Sequence, residues 1–129
     1  GYGSDNQIVQ GLGSITSTNI FLGLSAGQNT TTGTQNIFIG TQTGLAITSG
    51  SYNTMIGYMV GVPITTGQQN SFFGSQTGNS ITTGSYNTMM GSYVGFNVTT
   101  ASNNTIMGAS AGYNNTASNN RFMGNNSSF

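Results

Sequence analysis

The chain has no cysteine, no histidine and no tryptophan, a single proline, and only two charged residues in 129, Asp5 and Arg121. Each absence closes off a class of protein. Without cysteine there is no disulfide framework and no thiolate metal centre. Without His, Glu or Lys, no general base stands ready to activate the abundant Ser and Thr, and a lone Asp5 cannot form a carboxylate pair. The expectation is therefore no enzyme activity, with no catalytic residues, no metal ligands and no cofactor. Charged residues are 2% of the chain, against about 25% in ordinary soluble domains. That leaves no basic footprint for nucleic acid and no polybasic patch for a membrane surface. Apolar runs stay at a few residues, too short for a bilayer-spanning helix.

What is present is equally one-sided. Gly, Asn, Ser and Thr supply 74 of the 129 residues, all neutral to poor in helix interiors. Such a composition borders on disorder, yet 34% of the chain is hydrophobic, with six Met, seven Phe and six Tyr. Placement decides between the two. Asn19, Asn36, Asn53, Asn70, Asn87 and Asn104 are each 17 apart. Gly23 to Gly108 and Gly27 to Gly112 keep the same step, as do the threonines from Thr31 to Thr116. One residue is then lost, and Asn120 and Gly124 follow after 16. The unit reads N-x-h-h-G-x-x-x-G-x-x-x-T-T-G-x-x, with h apolar. A second period of 34 overlies it. Residues 36–52 match residues 70–86 at 11 of 17 positions but match 53–69 at only seven, the mark of a duplicated two-coil block.

Short apolar stretches punctuated by Gly at fixed offsets read as coils of an all-β, parallel β-solenoid or β-roll with about seven coils. Stacked at ~4.8 Å, these make a rod of roughly 30 Å. Residues 1–18 read as a shortened first coil or N-terminal cap, 19–124 as tandem repeats, and 125–129 as a truncated C-terminal end. The six spaced asparagines then stack as a ladder of amides along the axis.

The h-h pair carries the most information. Its first position holds Phe21, Phe38, Met55, Phe72, Met89, Ile106 and Phe122; its second holds Leu22, Ile39, Ile56, Phe73, Met90, Met107 and Met123. Adjacent strand residues face opposite ways, so one rank fills the coil's own core and the other points out. The core also takes Ala26, Val60, Val94 and Ala111, and the rank Ile47, Ile64, Ile81 and Val98. Seven stacked apolar side chains outside make a stripe too large for a soluble monomer. Both ranks are therefore candidates for a subunit interface, closed as a parallel homotrimer. A bulge turning both ranks inward is the competing expectation. Tyr52, Tyr58, Tyr86, Tyr93, Phe96 and Tyr113 fall at variable repeat positions and are candidates for surface binding, to a cell-surface glycan or protein.

The phrases "GSYNTMIGYMVG", "GSYNTMMGSYVG" and "NNTIMGASAG" resemble the N-T-h-h-G-x-x-A-G tandem repeats of phage and large-virus tail-fibre-like proteins. They are more loosely similar to the head repeats of trimeric autotransporter adhesins. The resemblance spans Asn19 to Gly124 and implies a trimeric, fibrous protein, extracellular or on a virion surface, that attaches to a host. The family alanine before the second Gly is Thr43, Val60, Thr77 or Val94 here.

Three functions compete. The first is a structural fibre segment presenting a rigid rod. The second is an ice-binding solenoid, in which Thr31–Thr116 and the neighbouring Thr32, Ser49, Thr66, Thr83 and Thr100 order water; adjacent T-T residues diverge on a strand, which disfavours a flat face. The third is an amyloid-like matrix filament, favoured by low charge and the ladders.

Overall fold

The computed structural model describes residues 18–96, 99–114 and 116–127. The expected first coil within 1–17, with Asp5, and the core position Val98 lie outside the described residues. Among the described residues there are seven strands: β1 (Ile20–Leu22), β2 (Ile37–Ile39), β3 (Thr54–Tyr58), β4 (Ser71–Ser75), β5 (Thr88–Met90), β6 (Thr105–Met107) and β7 (Arg121–Met123). They form one parallel sheet in chain order, a β-solenoid of about six turns. Register follows the repeat, pairing Phe38 with Met55, Met55 with Phe72 and Phe72 with Met89.

Strands alternate as a regular pleat demands. Phe38, Met55, Phe72, Met89 and Ile106 are fully buried, Phe122 nearly so, and Phe21 packs against them with its ring stacked on Phe38 at 5.1 Å. Ile47, Ile64 and Ile81, with Ala26, Val60, Val94 and Ala111, complete the same core cluster. No inserted residue interrupts the strand register, so the competing bulge does not occur and the second apolar rank stays outside. Thr43 and Thr77 stand directly before the second glycine of their repeats. Each is buried, with Oγ1 donating to the carbonyl of Gly57 (3.2 Å) and Gly91 (2.5 Å) in the next coil. Thr has the shape of Val, and with its hydroxyl satisfied this rank accepts either.

Two kinds of corner bend each coil. At the end of β4, Gly74 has φ +135°, and a Cβ there would run into the Gly91 carbonyl of the next coil. Gly78 has φ +64°, and a Cβ would strike the Phe72 ring at 2.6 Å. The first glycine rank thus permits coils to approach backbone to backbone, and the second permits the core rings to fill the coil. The other corners use ordinary residues in the left-handed region. One set precedes the ladder asparagines from Asn36 onward (Gln35, Tyr52, Gln69, Tyr86, Asn103, Asn119); the other lies two residues after the first glycine (Ser25, Gln42, Met59, Gln76, Tyr93, Ser110, Asn126). Such a conformation costs roughly 1–2 kcal/mol for a non-glycine residue. Its return is a reversed amide. Tyr52 N–H donates back to Thr34 O (3.0 Å) and Gln76 N–H to Tyr58 O (2.8 Å), whereas Gly61 N–H donates forward to Thr77 O (2.9 Å). Each coil is therefore tied to both neighbours all around its circumference.

The asparagine ladder runs through the buried interior. Asn70 Nδ2 donates to Asn53 Oδ1 (3.1 Å) and to Gly84 O (3.0 Å), while its Oδ1 accepts from Asn87 N (3.0 Å) and Nδ2 (3.1 Å). The pattern repeats from Asn53 to Asn104, and Asn19 and Asn36 make the corresponding bonds to Asn36 N and Gly50 O. The ladder survives the lost residue: Asn120 N–H still donates to Asn104 Oδ1 at 2.9 Å. Ser102 N–H likewise meets Ser118 Oγ, 16 residues on, so the coil has shortened before Ser118.

Candidate functional site

The sheet's outer surface carries two ranks. Leu22, Ile39, Ile56, Phe73, Met90, Met107 and Met123 form one, in register from β1 to β7. Two residues back on each strand lie Ile20, Ile37, Thr54, Ser71, Thr88, Thr105 and Arg121. Most of the apolar rank is half-buried by its own neighbours, while Met90 is 44% and Met123 75% exposed. The candidate interface set therefore narrows. Phe21, Phe38, Met55, Phe72, Met89, Ile106 and Phe122 are spent in the coil's own core and cannot also face a neighbouring subunit. The reason is the pleat: two successive side chains of a regular strand cannot share a face.

The tyrosine candidates divide into groups. Tyr52 and Tyr86 are more than half exposed and share the left-handed corner rank, with Gln69 between them in the repeat. Tyr58 ends β3 and is also exposed. Tyr93, Phe96 and Tyr113 come together: Phe96 stacks on Tyr113 at 5.0 Å and leans on Tyr93 at 6.3 Å, and Gln76 Nε2 donates to the Tyr93 hydroxyl at 3.2 Å. This packing along the rod is what neighbouring positions of a stacked repeat would produce without any ligand.

The threonines of the ice-binding expectation are tied into the rod. Thr31, Thr48, Thr65 and Thr82 each donate their hydroxyl to the carbonyl of the threonine in the next coil, at 3.2–3.4 Å. Their neighbours Thr32, Ser49, Thr66, Thr83 and Thr100 are exposed. One rank of free hydroxyls remains where a flat two-rank face would need two.

Sequence reasoning did not anticipate the left-handed Gln, Tyr and Met corners, because none carries the Gly or Asn signature of such a turn. It also did not single out the run of three methionines at the C-terminal end of the outer rank, whose signal is visible only once the register is read down that rank. No protein-family model matches the chain, and neither any curated protein nor any solved structure matches it.

Proposed function

We propose that this chain is a rigid segment of an extracellular or virion-surface fibre, assembled as a parallel homotrimer through the outer face of its sheet and serving attachment to a host cell or surface. The observation that carries the reading is the outward apolar rank Leu22–Met123, continuous over all seven strands. In a monomer it would remain in water; three parallel copies closed around an axis cover it without leaving an open edge of apolar surface. Full burial of a Leu, Met or Phe is worth ~1.5–3 kcal/mol. Most of the rank is already half-covered, so the seven residues supply on the order of 5–10 kcal/mol per chain before ordering costs.

Two adjacent substitutions separate core from interface. Phe72→Asp places a charge in the coil's core and should abolish folding. Phe73→Asp places it in the outer rank, beside its own copies, and should leave a folded monomer with the β-rich spectrum of wild type. Mass in solution, by light scattering at micromolar concentration, reads both outcomes. A wild-type protein that is folded, soluble and monomeric there would remove the trimer from this reading. The exposed tyrosines are the attachment candidates under the same proposal, and loss of surface binding on Tyr58→Ala with the rod intact would assign them.

A further inference from the structure

Six methionines are present, and the structure sorts them. Met55 and Met89 are fully buried in the core and Met59 sits at a left-handed corner. The other three, Met90, Met107 and Met123, occupy one outward rank on consecutive strands, Met90 paired with Met107 and Met107 with Met123. Neighbouring strands stand ~4.8 Å apart, so the three side-chain stems rise in a row at that spacing. Each ends in a thioether on three rotatable bonds, and the outer two are 44% and 75% exposed. Further up the rank the same position holds Leu, Ile, Ile and Phe, none of which can ligate.

We infer that Met90, Met107 and Met123 form a thioether site for a soft monovalent cation of the Cu(I) or Ag(I) class. The earlier expectation of no metal ligands rested on the absence of His, Cys and paired carboxylates, which are the donors for harder or borderline ions. A neutral thioether prefers soft monovalent copper, and here it has no stronger protein ligand to compete with it. Three neutral sulfurs leave the ion's charge unbalanced. The sole charged side chain among the described residues, Arg121, lies two positions before Met123 on the same outward face. It is exposed, so water weakens its repulsion, while the ~7 Å between alternate strand residues lies inside the Debye length and salt relieves little of it. All three sulfurs come from one chain, but they lie on the rank that the proposed trimer covers, so the free chain offers the site and ion binding there competes with assembly.

A thioether takes no proton in the ordinary range, which gives the site a signature that no imidazole or carboxylate site shares. Titration with silver nitrate in chloride-free buffer, followed by native mass spectrometry and by the methionine methyl resonances, should show one ion per chain. The methyl signals of Met90, Met107 and Met123 should move, and those of Met55, Met59 and Met89 should not. Affinity should stay flat from about pH 4 to 8, outside which the hydroxyl and carboxylate chemistry of other sites enters. Met107→Leu, which keeps volume and apolarity and removes the central sulfur, should weaken binding at least 30-fold. Met59→Leu should leave it unchanged. Light scattering on the same samples, with the titration repeated on the Phe73→Asp monomer in which the rank is uncovered, tells absence of the site from its burial in the trimer. The site is overturned if silver binds no better to wild type than to the triple Met→Leu chain, if Met59→Leu matches Met107→Leu, or if affinity falls at acid pH.

Discussion

Gly74→Ala is expected to cost the rod about 4 kcal/mol or more, as much as deleting a core aromatic. Two effects add. The backbone at Gly74 has φ +135°, a region closed to residues with a Cβ, and the new methyl would overlap the Gly91 carbonyl of the following coil. That carbonyl is backbone, held in place by its own stack, and cannot rotate aside as a side chain would. Relief requires separating two coils that share a parallel sheet and the asparagine ladder. Gly124 provides the internal control: it has φ +109°, and among the described residues nothing lies within 4 Å of its would-be Cβ. Gly124→Ala should therefore suffer only the conformational term, ~1–3 kcal/mol. Urea midpoints of the two variants separate steric closeness from backbone strain. Equal losses would mean that inter-coil approach does not constrain the first glycine rank.

Asn70→Asp should be almost as damaging, and in a pH-dependent way. The side chain is fully buried and makes four hydrogen bonds, two as donor and two as acceptor. An ionised aspartate keeps the acceptors, loses both donors, and sets a negative oxygen against Asn53 Oδ1 or Gly84 O. Leaving buried groups unpaired around an uncompensated charge costs about 3–5 kcal/mol. Burial raises the pKa of the introduced carboxyl in the folded state above its unfolded value, so folding disfavours the ionised form. The deficit is present in full above the folded pKa and shrinks as pH falls through it, because the protonated acid regains one donor. Wild type, whose only acidic side chain is Asp5, should show almost no change over the same acid range. Thermal melts from pH 3 to 7 on both proteins check the sign. A deficit that is the same at every pH would show that the ladder tolerates the charge and fails for another reason.

The ladder, the glycine ranks and the parallel sheet were legible because in a stacked repeat, sequence period and spatial neighbourhood are the same thing. Asn53 lies beside Asn70 for no reason other than being one coil away. Which apolar rank faces inward was not legible, because Phe38 and Ile39 are equally apolar; the answer depends on where the turn from Gly40 sets the phase of the pleat. The corners at Met59, Tyr86 and Tyr93 were hidden for a different reason. Their φ is imposed by amides that must reverse direction between the preceding and following coils, a tertiary demand that overrides local propensity. Thr43 and Thr77 read as departures from the repeat, yet their hydroxyls each find a glycine carbonyl in the coil beyond. The outer methionine run was present in the sequence but meant nothing until the strand register placed its members side by side.

The forward and backward amides have a mechanical consequence. Tension applied to the two ends of the rod acts along its axis, parallel to the bonds between coils, so the terminal coil bears the load before the interior does. Coils would then peel off singly, each releasing 17 residues, or roughly 55–60 Å of extended chain. The last interval, with its 16 residues, would give a step shorter by one residue's length. A rod built this way yields in small increments and keeps its remaining coils intact.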